Sequence, residues 1–246
     1  MSGHSNWSLK GPWRTCAITT AMCASIVATC ASAQTDSIAI GEKIATGGTP
    51  QGAAACVGCH GAKGEGNADF PRLAGTGRAY LQAQLDAFAA GNRKNAIMQQ
   101  FASKLTPEER VAVASYYSQL PSPVAVKVTT HSPKPEDLGG WLASRGRWAE
   151  QLPACAQCHG VDGGGVGGQF PPLAGLSENY IREQLKAWKT NVRPPGPLAL
   201  MPAIASKLSD TDVTAVAQYY STLASATPAP AELPAKPVVP DAIVRK

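Results

Sequence analysis

The sequence predicts an all-α protein made of two tandem copies of one small domain. Three observations predict it: the chain matches itself at a nearly fixed offset, each copy carries capped helical periodicities, and no alternating apolar–polar run reads as a strand. Cys56 answers to Cys155 at an offset of 99. FPRLAG (Phe70–Gly75) answers to FPPLAG (Phe170–Gly175) at 100, and Tyr80, Leu85, Phe88 and Arg93 answer to Tyr180, Leu185, Trp188 and Arg193 at the same offset. Met98 with Ala102–Leu105 answers to Met201 with Ala205–Leu208 at 103. The register drifts only in a Gly-rich loop and around Pro194–Pro197, where insertions cost little.

Taken in order, residues 1–33 read as an export signal. Lys10 and Arg14 give a basic start, Cys16–Ala31 an apolar and small-residue stretch, and Ala31–Ala33 a small-x-small cleavage site. The stretch is weaker than the ~20 strongly apolar residues of a spanning helix, the alternative being an uncleaved anchor. Cleavage near Ala33 removes Cys16, Cys23 and Cys30, leaving Cys56, Cys59, Cys155 and Cys158 of the seven cysteines and Met98 and Met201 of the four methionines. The net charge falls from +5 to 20 basic against 17 acidic residues, with no charge run that suits nucleic acid.

The first domain is expected over 34–121. A short helix at Ser37–Thr46 precedes Cys56, and RAYLQAQLDAFAAG gathers Tyr80, Leu81, Leu85 and Phe88 on one helical face, ended by Gly91. TPEERVAVASYYSQL opens with Thr106 as N-cap, Pro107 at N1 and Glu109 at N3, a capping box. A Pro-rich stretch at 122–138 reads as an extended linker. The second domain is expected over 139–225, with a helix at Gly140–Gln151 and a counterpart capping box from Ser209. The tail, 226–246, has five prolines and reads as disordered.

The chemistry lies in CVGCHG (Cys56–Gly61) and CAQCHG (Cys155–Gly160). A thioredoxin-like pair needs a βαβ setting that is absent. A zinc site shared between cysteine pairs in separate repeats is awkward. The histidine that follows both pairs favours covalent haem attachment, with two thiols for two vinyl groups and the next side chain beneath the iron. Two covalently bound haem c groups follow, held by Cys56 and Cys59 and by Cys155 and Cys158, with His60 and His159 as axial ligands. Domains of this size bury little apolar surface unaided, so each fold is expected to depend on its haem.

Met98 lies 38 residues after His60, and Met201 lies 42 after His159. The four-residue difference is the sum of the two loop insertions. Such methionines are often core filler, but these two occupy equivalent places and are read as the second axial ligands. His131, beside Ser132-Pro133, reads as a solvated linker residue.

On these residues the sequence resembles the dihaem cytochromes c of the cytochrome c4 type, over 38–120 and 140–223. The resemblance implies two class I cytochrome c folds packed about a pseudo-two-fold axis, with haem propionate edges close together. It further implies that the Pro71 and Pro171 carbonyls hold the histidine Nδ1–H groups, and that Leu73 and Leu173 pack on the haems. Arg93 and Arg193 then fall where basic residues can meet haem propionates, with a solvated surface position as the alternative. The long Pro-rich linker and the GTPQGAA insertion (Gly48–Ala54) depart from the pattern and leave the domain packing open.

The expected function is periplasmic single-electron transport between redox protein partners. Donors would be a dehydrogenase or bc-type complex, and acceptors a terminal oxidase or reductase. A subunit bound permanently to a dehydrogenase is the nearest alternative, separable by co-purification at high salt. A dihaem peroxidase or thiosulfate-oxidising enzyme needs an open or Cys-ligated haem, for which no cysteine remains.

Overall fold

The computed structural model describes residues 36–126, 133–196 and 198–226. The leader with its cleavage site, His131 and the tail beyond 226 lie outside the described residues.

The first repeat is built from α1 (36–47), α2 (Val57–His60), α3 (Arg78–Ala89), α4 (Ala96–Ala102) and α5 (Pro107–Gln119). The second is built from α6 (Leu138–Ser144), α7 (Ala156–His159), α8 (Glu178–Lys189), α9 (Leu200–Ala205) and α10 (Asp210–Thr222). Both repeats fall within one compact unit that begins at Ser37. The capping boxes form as the sequence indicates: Thr106 with Glu109 opens α5, and Ser209 with Asp212 opens α10.

Each repeat is organised by one close helix crossing. A Cβ on Gly41 in α1 would collide with the Ala112 carbonyl of α5 and stand 2.9 Å from Tyr116 Cβ. Gly139 in α6 meets Ala215 and Tyr219 of α10 in the same way. Only glycine lets these backbones touch. Around the crossings lie two apolar cores. Ile44, Leu81, Leu105, Val113 and Tyr117 form the first, and Leu142, Leu152, Ile181, Leu185, Leu208, Val216 and Tyr220 form the second.

Two expectations need correction. The helix placed at Gly140–Gln151 instead ends at Ser144 and is followed by a single 3-10 turn, Trp148–Glu150. Gly146 breaks it, turning the chain at φ +68° so that Arg147 can pair with Leu152. The linker and the start of the tail are not wholly irregular either. Two three-residue strands, β1 (Val124–Val126) and β2 (Ala224–Ala226), pair antiparallel with Ala125 opposite Ser225. This is the only sheet among the described residues, so the architecture stays helical.

The Gly-rich loop where the repeats lose register lies where the second repeat meets the first. The Tyr80 N–H donates to the Gly168 carbonyl (2.8 Å), and a Cβ on Gly77 would stand 2.7 Å from Gly168 Cα.

The second repeat also carries a partly buried ion pair without a counterpart among the described residues of the first. Arg147 donates from both terminal nitrogens to the Asp212 carboxylate (2.7 and 2.8 Å). The Asp212 side chain is 4% exposed. The Arg147 hydrogen bonds, against burial and with help from Ser209, hold its pKa down to about 2 from an ordinary 3.8. A depressed carboxyl pKa stabilises the fold above the unfolded value, and that gain is lost as pH falls through the folded one. Asp212→Asn is expected to lower the unfolding free energy of the second repeat by about 2 kcal/mol at neutral pH, the difference vanishing between about pH 4 and pH 2. Chemical unfolding across that range checks it; a difference constant down to pH 2 would place the effect elsewhere.

Candidate haem sites and the side chains between them

In each repeat the cysteine pair and histidine share one helical turn. Cys56 precedes α2, its carbonyl accepts from His60 N–H (3.0 Å), and Gly61 ends the turn at φ +87°. Cys155, His159 and Gly160 repeat this in α7, with Gly160 at φ +79°. All four thiols are free rather than joined in disulfides. Burial pushes the Cys155 thiol up to about 11 and raises Cys56 above its ordinary value.

Both histidines are buried, and both are fixed by a proline carbonyl. His60 Nδ1 lies 2.7 Å from Pro71 O, and His159 Nδ1 lies 2.8 Å from Pro171 O. A carbonyl only accepts, so Nδ1 carries the proton and the Nε2 lone pair is left for a metal. Burial also holds both imidazoles below their ordinary pKa, despite the opposing proline hydrogen bonds, and so favours the neutral ring. Phe70 and Phe170 pack edge-on against the two rings at 5.9 and 6.4 Å.

Met98 and Met201 are half-buried on α4 and α9. Asn95 caps α4 by accepting from the Met98 N–H (2.9 Å). Its counterpart Ala199 provides no side-chain cap and sits at φ +49°. Leu73 and Leu173 are half-buried and pack against their respective cores.

Arg93 and Arg193 are not solvated. They are 7% and 5% exposed and reach across from one repeat to the other. Arg93 donates to Gln84 Oε1 of its own repeat (2.9 Å), and to Tyr180 Oη (3.1 Å) and Gln184 Oε1 (2.7 Å) of the other. Arg193 mirrors it, donating to Gln184 Oε1 (2.9 Å), Tyr80 Oη (2.9 Å) and Gln84 Oε1 (3.0 Å). Each guanidinium also lies over an aromatic ring, Arg93 over Phe88 at 4.5 Å and Arg193 over Trp188 at 3.9 Å. Burial pushes the Tyr80 phenol up, but the Arg193 and Arg93 cations outweigh it and hold its pKa below the ordinary value.

The donor set fits haem. Free thiol pairs sit one turn from a neutral imidazole with a free Nε2. The buried Tyr117 and Tyr220 hydroxyls lie beside the Cys56 and Cys155 thiols. Among the described residues no carboxylate is hydrogen-bonded to either buried guanidinium, and haem carries two of its own. Among the described residues no three His, Cys, Asp or Glu side chains gather as a metal cage. Sequence reading passed over Gln84 and Gln184, although they match at the same offset of 100 as the tyrosines and arginines around them.

The cytochrome c family model matches residues 44–121 and 150–224. A thiosulfate dehydrogenase electron acceptor from Stutzerimonas stutzeri is 45% identical over 184 residues, covering 74% of this chain and 85% of the relative. The crystal structure of reduced cytochrome c4 from Pseudomonas stutzeri superposes with a TM-score of 0.60 at 31% identity, covering 70% of this chain and 96% of that one. A thiosulfate dehydrogenase from Marichromatium purpuratum gives a TM-score of 0.67 at 39% identity; the match covers 75% of this chain but only 40% of that one.

Removing one thiol pair should remove one haem and leave the other. Replacing Cys155 and Cys158 with alanine is expected to halve the haem bound per chain, measured as the pyridine haemochrome. Retention of two haems per chain would contradict attachment at those cysteines.

Proposed function

The chain belongs to the cytochrome c family, and on that footing we propose that it is an exported carrier in which both irons have a full set of protein ligands. Two haem c groups are covalently bound, one at Cys56 and Cys59 and one at Cys155 and Cys158. The protein carries electrons. Each haem, when bound, supplies a reversible one-electron couple.

The residues around each site exclude water, hold one histidine tautomer and set the potential. The Pro71 and Pro171 carbonyls keep the His60 and His159 lone pairs aimed at the iron and increase their basicity. Met98 and Met201 would be the other protein ligands of the two irons, a choice that would raise the potential and leave no open position for a substrate. What supports this ligation is the equivalence of the two methionines across the duplication, both half-buried on short helices after the α3 and α8 turns. Leu73 and Leu173 supply apolar packing. Arg93 and Arg193 would balance haem propionates, since among the described residues no carboxylate hydrogen-bonds either one.

The single observation that carries the carrier reading is the duplication: each repeat pairs a cysteine–cysteine–histidine turn with a half-buried methionine in an equivalent place. The chain is therefore assigned as a carrier rather than an enzyme. The donor is proposed as a thiosulfate-oxidising dehydrogenase, on the strength of the relative named for accepting its electrons. The acceptor is a terminal oxidase or reductase, and the compartment is the periplasm. Among the described residues no helix is long and apolar enough to cross a membrane. A subunit joined permanently to such a dehydrogenase is the second reading, favoured by the likeness to part of a longer thiosulfate dehydrogenase chain.

Spectropotentiometry of Met98→His and Met201→His tests the ligation. Each replacement is expected to lower one midpoint potential and leave the other nearly unchanged. If neither potential moves, the methionines are not ligands.

A further inference from the structure

We propose that a cavity walled by Arg72 of the first repeat and the start of α8 in the second binds a small tetrahedral oxyanion of the sulfate, thiosulfate or phosphate class. The site goes beyond the carrier reading and does not depend on it.

The duplication marks the place. FPRLAG and FPPLAG differ at a single position, where Arg72 answers to Pro172. Arg72 is 6% exposed, and arginine is almost never buried so far without a charged partner. Its Nη1 donates to the neutral Ser122 Oγ (3.0 Å), while its Nε is buried with no hydrogen bond. Among the described residues no carboxylate pairs with it, and Nη2 makes no hydrogen bond either. The Nε–Nη2 edge is one with which a guanidinium grips two oxygens at once. Burial pulls the Arg72 pKa below its ordinary value, and no neighbouring charge opposes that. Arginine nonetheless stays protonated, so the fold holds an uncompensated cation.

Arg72 forms part of the wall of a cavity of about 220 Å³, with Glu65 and Asn67 from its own repeat and Leu176, Ser177 and Ser221 from the other. Ser177 is the N-cap of the twelve-residue α8; its hydroxyl accepts from the Tyr180 N–H (3.2 Å) and keeps a proton to donate. The first N–H groups of that helix have no helical carbonyl to meet, and the aligned peptides add partial positive charge there. An unpaired guanidinium edge, a hydroxyl and a helix N-terminus on one wall are the donor set an oxyanion takes. Glu178, in the first turn of α8, is paired with Arg182 (3.2 Å). Glu65 is the opposing charge on the wall, and its carboxylate accepts from the Lys63 N–H (2.8 Å). Binding is therefore expected in the millimolar range. Pro172 brings no guanidinium, so the second copy of the loop has no such site.

The test is an NMR amide-shift titration of the full-length dihaem protein, fully reduced, with sodium sulfate, thiosulfate or phosphate at constant ionic strength. Saturating shifts are expected at Ser177 and Glu178 with each dianion, and none at the equivalent Gly77 and Arg78. Chloride should give no saturating shift. Arg72→Gln is expected to weaken binding about tenfold or more, because it removes the charged, two-pronged donor. Glu65→Gln, close in shape to the native residue, removes the opposing charge and should tighten binding about threefold. Shifts that rise linearly without saturating, or that appear equally at Gly77 and Arg78, overturn the proposal. Wild-type affinity in Arg72→Gln does so as well. If Arg72→Gln does not fold, Glu65→Gln decides: unchanged or weaker binding there overturns the site. Failure of either haem to cycle reversibly would instead count against the carrier reading alone.

Discussion

The hydrogen bond from a buried histidine Nδ1–H to a proline carbonyl, made at 2.7 Å in one repeat and 2.8 Å in the other, is the contact on which the sites depend. It joins the short turn that presents two thiols to the loop that follows it, and it selects the tautomer that leaves Nε2 free for iron. The glycines between the two partners let the loop return so tightly. A Cβ on Gly64 or Gly163 would press into the Tyr117 or Tyr220 ring, at 2.7 and 2.6 Å. Those tyrosines stand on α5 and α10, whose close crossings with α1 and α6 organise each core. Backbone, core and ligand orientation are therefore one connected structure in each repeat.

Duplication alone would give two such structures on a string. Their union comes from residues outside the ligand set. One part is the crossing of Arg93 and Arg193 between paired glutamines and tyrosines. Another is the docking of Gly168 against the start of α3, and a third is the short β1–β2 pairing that joins the segments following α5 and α10. Arg72 adds a further tie by donating to Ser122 Oγ at the head of the linker (3.0 Å). The linker that raised doubt about domain packing is thus held at its first residues.

Much of this was legible because it is local. The thiol–thiol–imidazole order, the offset of 99 to 103, and the two capping boxes each need only a few neighbouring residues to declare themselves. Tertiary contacts were harder to read. Val124–Val126 is too short to show alternation, and its partner lies about a hundred residues away. Gly146 ended a helix whose periodicity looked continuous, because the 3-10 turn behind it brings Arg147 to Asp212. Gly41 and Gly139 gave no signal of their own, since the need for glycine there comes from α5 and α10. The equal offset of Gln84, Tyr80 and Arg93 with their counterparts was visible. That they meet across the repeats was not, because a match within the sequence says nothing about which copy a side chain faces.

The central proposal is that Met98 and Met201 complete the ligation of both irons, as a carrier rather than a catalyst requires. The near-infrared methionine–iron charge-transfer band of the fully oxidised protein reads this most directly. The account predicts an intensity corresponding to two such bonds per chain. An intensity corresponding to one bond, or none, would contradict it.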